Sequence, residues 1–293
     1  MKPPSRWLGA SLVAPLLAPL VLVAHAALAQ DHAVNTAATS TDTPRRSWIT
    51  APRYSAGIAP DPVQEADRAI VQVYAAATYG WRGNFAVHPW IIYKRKGETS
   101  YTRYDVVGWR APNVVQRDYA VPDGYWYGST PELLVDHRGE GVEPMIDAVE
   151  AAIASYPYAR QYRSYPGPNS NTFLAHIGRE VPALKLDLPA NAIGKDYRPL
   201  TNPIGISTSG SGLQFSLLGL LGVSLGVQEG LEFNVLGLNF GVDFNSPALR
   251  LPFWGRLGFS DLAAPAASAE TTSAQTHAST NHGADASATA ENK

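Results

Sequence analysis

The chain has 293 residues, 45% of them hydrophobic and 16% charged, with a formal net charge of −2 and no cysteine. That length is ample for a buried core. The dispersed Lys and Arg residues exclude the concentrated basic face that a nucleic-acid partner requires. The missing cysteines exclude disulfides, thiolate nucleophiles, Cys-based metal sites and a lipidated cysteine anchor.

Lys2, Arg6 and Trp7 precede an apolar run from Leu8 to Leu28, and Ala27-Leu28-Ala29 supplies the small residues of a secretory signal cleaved after Ala29. The pattern predicts a periplasmic or secreted protein. The alternative is an inner-membrane anchor through residues 7–29, since the run is long enough to span, but Pro15, Pro19 and the small-residue ending favour cleavage. Residues 30–55 read as a flexible linker, and residues 261–293, without large apolar side chains, as a disordered tail. One domain is expected between them, over residues 56–260.

Three strands open that domain: Ile70–Ala77, Phe85–Tyr93 and Tyr101–Trp109, the last two joined by a polar turn at Lys94-Arg95-Lys96-Gly97-Glu98. Pro89 marks the second as an edge or a bulge. Thr130-Pro131-Glu132 reads as the cap of a short helix. Met145, Ile146, Val149, Ala152 and Ile153 recur at helical spacing over Val142–Ser155, and Pro157 stops them. Asn169 or Ser170 caps a further helix with Phe173, Leu174, Ile177 and Val181 on its buried stripe. In the glycine-rich region 205–245, Leu213-Gln214-Phe215-Ser216-Leu217-Leu218-Gly219-Leu220 is echoed by Leu231-Glu232-Phe233-Asn234-Val235-Leu236-Gly237-Leu238. The echo predicts two related β-hairpins in a meander that covers the main domain, with a membrane-surface or partner contact through 213–244 as the other reading. The fold class is therefore α+β: an antiparallel sheet packed with a few helices, plus a C-terminal β-meander.

Ser170, delivered by a Pro/Gly turn to a helix N-terminus, is the candidate nucleophile, because backbone N–H groups there stabilise developing negative charge. His88 is the candidate base, and Asp105 or Tyr104, on the following strand, would orient its ring. Asn169 and Ser170 are also what a helix cap prefers, and a strand histidine is also a core residue, so spacing leaves catalysis and plain structure both open. Trp90, Asn169, Asn171 and Arg103 are the candidate substrate contacts. His88, His137 and His176 with Asp136 show no metal-binding spacing, and no metal or organic cofactor is expected.

The set Trp81-Arg82-Gly83, Ala86-Val87-His88-Pro89-Trp90-Ile91, Tyr101-Thr102-Arg103-Tyr104, Ala154-Ser155-Tyr156-Pro157-Tyr158, Pro166-Gly167-Pro168-Asn169-Ser170-Asn171-Thr172-Phe173 and Ala192-Ile193-Gly194-Lys195-Asp196-Tyr197 resembles the bacterial domain-of-unknown-function family 3750, over residues 68 to about 258. More distantly, a histidine on an early strand followed by Asn169-Ser170-Asn171 at a helix start is similar to the circularly permuted papain-like hydrolases, the lecithin retinol acyltransferase-like group. That resemblance implies a permuted papain-like core with Ser170 where the group has its nucleophilic cysteine and His88 where it has its base. The expectation is an exported envelope protein of one of two kinds. One is a serine-dependent amide or ester hydrolase or acyltransferase on a cell-wall or lipid substrate; the other is a non-catalytic protein that keeps the cleft to hold a lipid, a small molecule, a cell-wall ligand or a partner.

Overall fold

The computed structural model describes residues 47–259. The expected signal segment, most of the expected linker and the tail from 260 lie outside the described residues. Strand β1 (Ile70–Ala77) is the spine of the first sheet, and its sequence Ile-Val-Gln-Val-Tyr-Ala-Ala-Ala is buried along almost its whole length. A strand covered on both faces needs no apolar/polar alternation, which is why apolar residues run nearly uninterrupted through it. It pairs antiparallel with β2 (Val87–Lys94) on one side and β5 (Glu132–Arg138) on the other. Beyond β2 come β3 (Thr102–Val106) and β4 (Val115–Arg117), giving the order β4-β3-β2-β1-β5.

Pro89 sits in an interior strand rather than at the sheet edge. The β2–β3 ladder covers only Ile91–Tyr93, so Pro89 has a ladder partner, Ala75, on one side alone. A residue without an N–H is tolerated there. The helix expected from Thr130-Pro131-Glu132 is corrected by the structure to the strand β5, which pairs with β1 from Ile70↔Arg138 to Ala75↔Glu132. The local cap pattern is overridden because the open edge of β1 offers a full ladder of backbone partners, a long-range term that local propensity does not see.

Two helices cover one face of this sheet, α1 (Val142–Ala154) and α2 (Ser170–Glu180). Ile146, Val149, Phe173, Leu174 and Ile177 pack on Val71, Val73, Ile91, Tyr93 and Val106 to form the main core. The opposite face carries a smaller cluster of Tyr74, Trp90, Ile92 and Trp126, closed by Ile58, Ala59 and the segment around Tyr119–Tyr127. Residues 51–55, which read as linker, run along that segment: Tyr54 O accepts from Tyr125 N at 3.0 Å, and Ser55 bridges Gly124.

The second sheet is a seven-stranded antiparallel meander in plain chain order: β6 (Ile204–Ile206), β7 (Gly212–Leu217), β8 (Leu221–Gly226), β9 (Gly230–Val235), β10 (Leu238–Asp243), β11 (Ala248–Leu251) and β12 (Gly255–Gly258). The β9–β10 turn shows why glycine recurs here. Leu236 and Gly237 both have positive φ, 53° and 83°, as the tightest two-residue hairpin turn demands. The described residues thus form a sheet-rich α+β fold with two α-helices.

Candidate functional site

Alternation along β2 sets the geometry of the first candidate site. Val87, Ile91 and Tyr93 face the helices, and His88, Trp90 and Ile92 face the other way. His88 is 4% exposed and stacks flat on Trp126, with ring centroids 3.6 Å apart and planes at 6°. Its Nε2 lies 3.0 Å from Asp105 Oδ1. Arg103 grips the same carboxylate with Nε at 2.6 Å and Nη2 at 2.8 Å, and its Nη1 donates to Val121 O at 2.6 Å. The guanidinium also lies 4.1 Å from the Trp90 ring centroid. Of the candidate residues, the structure brings together His88, Asp105, Arg103 and Trp90.

Burial pushes the Asp105 carboxyl up, but the Arg103 charge and hydrogen bonds, with those of His88, outweigh it and hold the group below its usual range. Asp105 is therefore ionised, and His88 Nε2–H must be the donor. Burial pushes the His88 imidazole below its ordinary value, against the pull of Asp105, so the ring is neutral at pH 7. The result is a buried Arg–Asp–His chain that engages His88 through Nε2, with the imidazole stacked on the Trp126 indole.

The second half of the expected pair is built at the start of α2. Asn169 is the N-cap: its Oδ1 accepts from Asn171 N at 3.0 Å and Thr172 N at 3.2 Å. Thr172 Oγ1 in turn accepts from Asn169 N at 3.0 Å and donates to Gly194 O at 2.7 Å. This reciprocal cap satisfies orphan N–H groups of the first turn internally. Asn171 Nδ2 donates to Val87 O at 3.1 Å and Ile193 O at 2.8 Å, while its Oδ1 is buried without a partner among the described residues. Ser170 is 4% exposed.

The Asn171–Val87 bond ties the residue after Ser170 to the residue before His88, so the two backbones are adjacent. α2 packs on the face of the sheet that carries Val87, and the His88 imidazole lies against Trp126 on the other. No hydrogen bond joins Ser170 to His88 among the described residues. Tyr104 also lies on the helix side, stacked on Tyr93 at 6.3 Å, away from His88. His137 and His176 are engaged elsewhere, with Leu184 O at 3.0 Å and Ala152 O at 2.9 Å. No group of three or more metal-ligating side chains that could hold an ion occurs among the described residues.

A second candidate site is the outer face of the seven-stranded sheet. The inward positions of β7 to β10 are Gln214, Ser216, Gly222, Ser224, Glu232, Asn234, Asn239, Gly241 and Asp243, all polar or glycine. The outward positions are Leu213, Phe215, Leu217, Leu221, Val223, Leu225, Leu231, Phe233, Val235, Leu238, Phe240 and Val242, all apolar. Register aligns them into rows: Ile204, Phe215, Val223, Phe233 and Phe240 are successive cross-strand partners. The polar side is the buried one. Lys195 pairs with Glu232 and, at 3.6 Å, with Asp196; Arg250 reaches Asp187 at 2.7 Å and Glu232 at 3.5 Å. Asp196 accepts from Gln214 at 2.5 Å, Asn234 at 3.0 Å and Asn239 at 2.8 Å.

Leu225 is 58% exposed and Phe233 53%, against 1% for Glu232. With strands about 4.8 Å apart and a rise of about 3.4 Å per residue, the face measures about 30 by 20 Å, or about 600 Å², at the upper end of the largest apolar patch on a typical monomer. The echo of 213–220 in 231–238 predicts hairpins here, but not which side of their sheet meets the protein.

No curated protein and no solved structure matches the chain. No helix among the described residues is long and apolar enough to cross a membrane. Residues 68–197, which hold the first sheet, both helices and the Asn169 cap but stop short of the seven-stranded sheet, match the family described as Protein of unknown function (DUF3750), and that match supports placing this segment in that family.

Proposed function

We propose that this is a non-catalytic exported protein that works by association, through the apolar outer face of its seven-stranded sheet. One observation carries the reading: over four consecutive strands every outward side chain is Leu, Val or Phe, while charged pairs are buried beneath them. A sheet face of that composition is costly in water and needs an apolar occupant. The competing reading, a permuted papain-like serine hydrolase, expects Asp105 to orient His88, and that contact is present, but the imidazole stacks on Trp126 and shares no hydrogen bond with Ser170 among the described residues. A hollow of about 470 Å³ lies beside Ser211, Leu225, Val227 and Phe244, at the rim of the apolar face. Export follows from the Lys2–Ala29 pattern.

The test uses the full folded chain and an apolar fluorescent dye. Dye binding is expected to be strong in the native protein, to fall sharply in the Leu225→Asp/Phe233→Asp variant, and to be unchanged in Ser170→Ala. Hydrolysis of amide or ester substrates that disappears in Ser170→Ala would overturn the reading in favour of the hydrolase.

A further inference from the structure

We propose that the occupant of the apolar face is the acyl-chain region of a lipid bilayer, which the sheet enters face-down from one side. This rests on the reading of that face as an association surface and names what it meets.

The chemistry of the face selects the partner. Protein–protein interfaces carry hydrogen bonds at about one per 100–200 Å²; the outward positions of β7 to β10 carry no side chain able to make one. A hydrocarbon phase asks for none. The inversion, with Glu232, Asp243 and Arg250 on the protected side and Leu, Val and Phe outside, is the alternation of a strand whose outer solvent is lipid.

The apolar surface also continues past the flat face. The hairpin tips expose Val227 at 63%, Leu236 at 64% and Phe244 at 62%. A second copy packed sheet on sheet would cover the face at a spacing of about 10 Å and leave these tips in water; acyl chains cover both. At the β11–β12 turn, Trp254 and Phe253 continue through Phe85 to Trp81, with successive centroids 6.0, 5.7 and 5.9 Å apart. Both indoles are mostly exposed, and exposed tryptophans at the margin of an apolar surface are the residues that settle at headgroup level.

Strand length fixes the depth. Six residues span about 20 Å, whereas a tilted transmembrane strand needs about 9–11 residues. At the β6 edge of the sheet the carbonyls of Ile204 and Ile206 accept from Arg198 at 3.0 Å and Arg179 at 3.2 Å, and those guanidinium groups stay out of hydrocarbon only if the sheet lies flat in one leaflet. With no basic residue among the outward positions of β7 to β10, binding does not depend on anionic lipid.

The chain lacks cysteine, so a single one can be placed at will. Full-length protein carrying Phe233→Cys, and separately Glu140→Cys on the exposed β5–α1 connection, would be labelled with an environment-sensitive fluorophore and reconstituted with phosphatidylcholine vesicles. Position 233 is expected to lose most of its emission to a nitroxide on the lipid acyl chains and to resist aqueous iodide, with position 140 behaving in reverse. Leu225→Cys repeats the measurement at a second point of the face, and near-ultraviolet circular dichroism checks that each variant is folded. If position 233 resists iodide but is untouched by the lipid nitroxide, a protein occupant such as a second copy covers the face; the bilayer proposal fails and the association reading stands. If iodide reaches position 233 as freely as position 140, both fail.

Discussion

Glu232 is 1% exposed and pairs with Lys195 and Arg250, while its neighbour Phe233 is 53% exposed and touches the core of nothing. The usual ranking of a buried phenylalanine above a surface glutamate is therefore reversed at this pair. Glu232→Ala strips two buried cations of a partner and should destabilise by about 3–5 kcal/mol. Phe233→Ala should cost at most about 1 kcal/mol, its cross-strand share with Val223 and Phe240. Urea unfolding of both variants checks this, and equal losses would show that the inward polar network does not hold the sheet. At His88 the argument concerns protons. Its folded-state pKa is depressed, so the unfolded chain binds a proton first as pH falls below the ordinary value of 6.5; the stability present above that value is lost through the window down to the folded pKa. Asp105, also depressed, adds a loss of the same sign at lower pH. Unfolding midpoints should fall as the pH drops below about 6.5, and the fall should shrink in His88→Gln, which keeps a donor toward Asp105 but does not titrate.

At the scale of elements, the start of α2 separates a structural role from a catalytic one. Asn169 accepts two backbone N–H bonds and donates to Ile193 O at 2.9 Å and Ser164 O at 3.2 Å. Asn169→Ala should cost about 2 kcal/mol, the upper range for a lost cap. Ser170→Ala, one residue on, should stay within about 0.5 kcal/mol, since alanine is at ease in a first helical turn. Gly194 has φ of 96°, and an added Cβ would land on the Asn169 side chain, so Gly194→Ala should destabilise through the same cap. Chemical denaturation of the three variants ranks them; a Ser170→Ala loss as large as that of Asn169→Ala would give Ser170 a structural role not visible in its contacts. The helix start was legible from Asn169-Ser170-Asn171-Thr172 because caps are local. The strand at Glu132–Arg138 was not, because pairing with β1 is a contact across about sixty residues of chain.

At the scale of the whole molecule, two modules divide the work. The first sheet and its helices bury an ordinary apolar core, and the seven-stranded meander buries charge and exposes hydrocarbon. Association through such a face is driven by burial of apolar surface and is free of ion pairs. Vesicle binding should therefore survive a rise from about 0.1 M to about 1 M salt, over which exposed electrostatic contacts are screened. Release by salt, followed by flotation, would assign the binding to charge instead.

The amino-acid sequence by itself determined the α+β class, the three leading strands, both helices, a cap at Asn169 or Ser170 for the second of them, and the echoed strand-forming motif of 213–238, because each of these rests on residues close together in the chain. It also placed Asp105 within reach of His88, through the pairing of neighbouring strands. Only the tertiary structure decided which way things face. Alternation along β2 says that Val87 and His88 point oppositely, but not which of them meets α2; alternation along β9 says the same of Glu232 and Phe233, but not which meets solvent. A period of two is unchanged when a sheet is turned over. What settled the first was the packing of α2 on Val87, Ile91 and Tyr93. What settled the second was the buried network around Lys195, Asp196 and Arg250, which can be satisfied only by the polar side of the sheet.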